Sequence, residues 1–152
     1  DLILKKGLSK AQVKSAFSDI AKEGKKMGLT YNFDILQIAN SHNAHLLVQY
    51  AKDLGKGSEI EEALFKAYFT EGIHLGNIEQ VVKVGKSIGL DENYTREAMN
   101  SVKYSIGIEK DLKRAKEFNV NSVPFFLFNS EKVMVGAQPE EAFLETLRSF
   151  NY

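Results

Sequence analysis

Val120-Asn121-Ser122-Val123-Pro124-Phe125-Phe126-Leu127-Phe128 is the stretch that decides the fold. Pro124 is one of two prolines among 152 residues, and it heads the longest apolar run with strand character. Proline fixes φ at about −65° and lacks an N–H. The main chain just before it is therefore left without regular strand partners. An X-Pro bond also adopts the cis form at modest cost. From the residues alone two readings stand. Pro124 merely starts a strand, or it shapes a turn whose main chain is a recognition edge beside an active site.

Working outward, Phe125 to Phe128 are apolar in succession, so both faces of the strand need cover. Asn129-Ser130-Glu131-Lys132 reads as a turn and Val133-Met134-Val135 as a second strand, giving a hairpin. An isolated hairpin is marginal in water. Leu29-Thr30-Tyr31-Asn32-Phe33-Asp34 alternates apolar and polar residues. It reads as a third short strand or as an extended connector. The sheet is thus expected to be incomplete, finished by a partner chain or by a part of a longer polypeptide.

The remainder reads as helices. Ser9-Lys10-Ala11-Gln12 is a capping-box pattern, followed by Val13, Phe17, Ile20, Ala21 and Gly24 on one face. Asn40 or Ser41 caps a second helix with Ala44, Leu47, Val48 and Ala51 inward. Ser58-Glu59-Ile60-Glu61 repeats the capping-box pattern before Leu64, Ala67 and Tyr68. Asn77 opens a helix through Val81, Val84 and Ile88, and Asp91 caps a short one. A helix over residues 102–118 places Ile106, Leu112 and Ala115 inward. Pro139 starts the last helix, with Ala142, Phe143 and Leu147 on its buried face.

Lys+Arg and Asp+Glu are 20 each, so no net field points to nucleic acid or anionic lipid. No run of about 18 apolar residues signals a membrane span. Cysteine is absent, which removes disulfide and thiolate chemistry from these residues. His42 and His45 lie three apart, a spacing that can chelate a metal. No His-Glu-x-x-His pattern accompanies them, so capping or surface roles are expected and no metal or cofactor is assigned. Tyr68, Phe69 and Tyr104 read as core aromatics. Gly85, Gly89 and Gly136 lack a phosphate-cradling spacing.

Several segments resemble the DsbA-like thioredoxin-fold family, in particular its FrnE branch of dithiol–disulfide oxidoreductases and isomerases. They are Gly28-Leu29-Thr30-Tyr31-Asn32-Phe33-Asp34, Ala39-Asn40-Ser41-His42-Asn43-Ala44-His45, and Leu64-Phe65-Lys66-Ala67-Tyr68-Phe69-Thr70-Glu71-Gly72. Val123-Pro124-Phe125-Phe126 and Gly136-Ala137-Gln138-Pro139 follow in the family's order. The resemblance implies an α/β, mostly helical chain with a thioredoxin-like fold and a helical insertion. Residues 1–118 would be mainly that insertion and its return helix, and residues 119–152 the C-terminal β-β-α half. Pro124 would match the family's cis-proline facing the dithiol, with Val123 and Ser122 binding substrate.

The family's first strand, its Cys-x-x-Cys helix start and its second strand have no counterpart in these residues. A truncated chain, inactive alone, is therefore expected. The resemblance implies a protein or small thiol/disulfide substrate, no nucleic acid or membrane partner, and a cytoplasmic location. The exposed sheet edge also admits a homodimer. Two other functions stay open. One is a glutathione-dependent transferase or 2-hydroxychromene-2-carboxylate isomerase-like enzyme on the same fold. The other is a non-catalytic peptide-binding module.

Overall fold

The computed structural model describes residue 7 and residues 9–150. The elements among them are α1 (Lys10–Lys26), α2 (His42–Asp53), α3 (Gly57–Phe69), α4 (Ile78–Ser87), α5 (Glu92–Ala98), α6 (Val102–Glu117), β1 (Phe125–Phe128), β2 (Lys132–Val135) and α7 (Glu140–Arg148). The protein is mostly helical, with a small two-stranded sheet on a DsbA-like thioredoxin fold. It divides into two compact units, residues 1–108 and 109–152, with the division inside α6.

Three helix starts follow directly from side-chain chemistry. Ser9 Oγ accepts from the Gln12 N–H, and the Gln12 side chain accepts from the Ser9 N–H, closing the capping box. Asn77 Oδ1 accepts from the Gln80 N–H, and Asp91 Oδ1 accepts from the N–H groups of Asn93 and Tyr94. Ser58 behaves differently from its sequence pattern. Helix α3 begins two residues earlier than a Ser58 cap would set it, at Gly57, with Lys56 at the cap and no side-chain cap bond. Ser41 precedes α2, also without a side-chain cap bond; Asn40 Oδ1 accepts from the His42 N–H instead. Residues 29–34 form no strand: 29–32 are irregular, and 33–34 lie in a turn in which the Ile35 N–H donates to Asn32 O. The Asn32 N–H donates to Phe69 O, and the Thr70 hydroxyl donates to Thr30 O, pinning this connector to the end of α3.

In the first unit, α2, α3, α4 and α5 enclose a shared core. Leu47 and Ala51 of α2, Ile60 of α3 and Val81 of α4 have no exposed surface. Ala44, Leu46, Leu64, Ala67, Leu75, Val84, Leu90, Ala98 and Met99 complete it. The one fully buried polar side chain described, Thr95, donates its hydroxyl to Asp91 O, so its burial leaves nothing unpaired. Gly72 ends α3's following turn at φ +68°, where a Cβ would sit 2.7 Å from Ile35 O. Only glycine meets both requirements there.

Two helices are less buried than their periodicity predicts. No residue of α6 is buried, and Ile106 and Leu112 are 44% and 59% exposed. Leu147 of α7 is 51% exposed. The start of α6 is held by Tyr104 and Ile108 packing against the core and by polar bonds. Lys103 Nζ and the Tyr104 hydroxyl both donate to Asp53 Oδ2 at the end of α2. The Lys103 hydrogen bond, ahead of opposing desolvation and then the Tyr104 bond, holds the Asp53 carboxyl below its ordinary value of 3.8.

Two outcomes follow. Leu47→Ala should lower unfolding free energy by about 2–5 kcal/mol through lost burial and the cavity left behind, measured by urea titration. A loss under about 1 kcal/mol would contradict this core. Because the folded Asp53 value lies below the unfolded one, its contribution is present above pH 3.8 and lost as pH falls through the folded value. NMR titration should place the Asp53 midpoint below 3.8, and Lys103→Ala should move it upward.

Candidate functional site

The hairpin of the second unit carries the candidate residues. β1 and β2 are antiparallel, with Phe125 opposite Val135, Phe126 opposite Met134, Leu127 opposite Val133 and Phe128 opposite Lys132. Asn129 and Ser130 have φ of 49° and 60°, and the Glu131 N–H donates to Phe128 O at 2.9 Å. Two successive left-handed residues are what a type I′ turn uses.

The ladder continues one step past β1. The Gly136 N–H donates to Pro124 O at 2.8 Å, so Pro124 and Gly136 form a hydrogen-bonded pair. Hydrogen-bonded and non-hydrogen-bonded pairs alternate along an antiparallel ladder. Phe126 and Phe128 therefore point their main-chain groups at β2. Phe125 and Leu127 point theirs at the opposite edge, where no strand lies among the described residues.

The Val123-Pro124 peptide bond is cis. Val123 is 83% exposed, and among the described residues neither its N–H nor its C=O has a hydrogen-bond partner. Ser122 beside it is exposed too. Val123, in the bend before β1, and Phe125 and Leu127 within β1 thus leave main-chain donors and acceptors open among the described residues.

The two faces of the hairpin differ. Phe126 and Phe128 meet the Phe143 ring of α7 edge-on, at centroid distances of 4.8 and 6.3 Å. The other face carries Phe125, Leu127, Val133 and Val135, and Val133 is 53% exposed. Not one described residue after Ile108 is buried, although six of the chain's ten phenylalanines lie there. Sequence reasoning named Pro124, Val123 and Ser122 but missed the outward main chain of Phe125 and Leu127. An uninterrupted Phe-Phe-Leu-Phe run hides which residues point which way.

Other candidates fall outside this edge. His42 and His45 are exposed on α2, and no group of three His, Cys, Asp or Glu among the described residues could hold a metal. His74 Nδ1 is buried without a hydrogen-bond partner, in a turn where the His74 N–H donates to Gln80 Oε1. Tyr68 and Tyr104 pack against the helical core, and Tyr104 meets Tyr50 edge-on at 5.8 Å.

The profile of the DSBA-like thioredoxin domain matches residues 3–148. The chain belongs to this family. Its structure superposes on a probable DsbA oxidoreductase, SCO1869, from Streptomyces coelicolor with a TM-score of 0.88. The match has 23% identity and covers 97% of this chain and 64% of the other. A putative protein disulfide isomerase from Nitrosomonas europaea gives a TM-score of 0.69 at 12% identity, over 94% of this chain and 75% of that one. At such identities the likeness is one of fold. The uncharacterized protein YwbO of Bacillus subtilis (strain 168) is 30% identical over 95 residues, which are 62% of this chain and 47% of YwbO. The DsbA-like chain thus spans under two thirds of SCO1869 and about half of YwbO.

The alternation along β1 has a direct readout. In amide exchange by NMR, the Phe126 and Phe128 N–H groups should be protected, and those of Phe125 and Leu127 should exchange at least about tenfold faster. Equal protection at all four positions would mean that a second strand already covers the edge.

Proposed function

We propose that this chain is part of a thiol–disulfide oxidoreductase of the DsbA/FrnE type, in which the Val123-Pro124 turn receives the substrate. The observation that carries this reading is the open edge: an exposed Val123 with unpartnered main-chain groups, next to Pro124, in a chain of the DSBA-like family. An extended peptide can add to such an edge through main-chain hydrogen bonds. In this reading Pro124 faces the dithiol, Val123 pairs with the substrate main chain, and Ser122 flanks it. Residues 1–118 serve as the helical insertion and return helix, and residues 119–152 as the C-terminal β-β-α half.

The chemistry requires a thiol from elsewhere in the polypeptide. In exchange, a thiolate attacks one sulfur of a disulfide, forms a mixed disulfide and releases the other sulfur as a thiolate. The 152 residues contain no cysteine. We therefore infer that the parent protein supplies a Cys-x-x-Cys at a helix N-terminus, where the helix dipole favours the thiolate. The strands flanking it would complete the open sheet. Protein or small-molecule thiols and disulfides are the substrates of this reading. The FrnE branch suggests a cytoplasmic location, and pairing of two β1 edges offers a route to a homodimer. A free edge on a cysteine-free chain also supports a non-catalytic peptide-binding module.

Two measurements test the proposal. The 152-residue chain should show no insulin reduction in the presence of dithiothreitol above the uncatalysed rate, and turnover by this chain alone would overturn the assignment of the thiols. In the dithiol-bearing parent, Val123→Pro deletes the donor assigned to the substrate. Losing one hydrogen bond of roughly 0.5–1.5 kcal/mol should raise KM for a peptide disulfide by roughly 2- to 12-fold. An unchanged KM would remove Val123 from the site.

A further inference from the structure

We draw no further inference here: the strongest candidate, the groove of about 500 Å³ between residues 28–31 and α3 that Leu29, Tyr31, Phe65 and Phe69 line, is an apolar surface, and nothing in the structure shows what covers it.

Discussion

A strand's main chain carries a donor and an acceptor at every residue other than proline, and each needs a partner. In β1 only half of them have one. Phe126 and Phe128 bond to β2, while Phe125 and Leu127 turn their N–H and C=O groups to an edge that no described strand occupies. Exposed edges of this kind are templates for pairing with another strand. The same hairpin leaves a face of Phe125, Leu127, Val133 and Val135 opposite the one that Phe143 covers. Edge and face together leave main-chain groups and apolar side chains without cover among the described residues.

The first unit has no such need at its centre. Leu47, Ala51, Ile60 and Val81 have no exposed surface in the core that α2, α3, α4 and α5 enclose. Surface polar ties hold the neighbouring elements, among them the two bonds from Arg96 to the Glu79 carboxylate at 3.0 and 2.8 Å, which link α5 to α4. The contrast is internal to one chain. Apolar residues in 9–108 find a core, whereas the six phenylalanines after Ile108 are only partly covered. Hydrophobic burial is the main favourable contribution to folding. The second unit is therefore the part that buries its apolar residues least completely.

Much of this was legible from residue order, because caps and turns are local. Ser9 with Gln12, Asn77 and Asp91 act as their patterns indicate, and Asn129-Ser130 makes the hairpin turn. Ser58 fails because Gly57 already continues the helix from Lys56, making the expected cap an interior residue. Ile106, Leu112 and Leu147 fail for a different reason. Periodicity marks which face of a helix is apolar, and does not show whether anything lies against it. The candidate edge was only half legible. Pro124 marks its start, but the outward direction of Phe125 and Leu127 depends on the Gly136–Pro124 bond, made 12 residues apart. The role proposed for the edge rests on resemblance, since a chain without cysteine does not display thiol chemistry.

We propose that the open edge of Phe125 and Leu127 is completed by a strand of a longer polypeptide that leads into a dithiol helix. An experimental structure of that polypeptide tests it most directly. The account predicts a strand hydrogen-bonded to the main chain of Phe125 and Leu127, with Val123 left open toward a Cys-x-x-Cys helix start. A structure in which those groups stay unpaired, or in which a helix of residues 9–108 covers them, would contradict it.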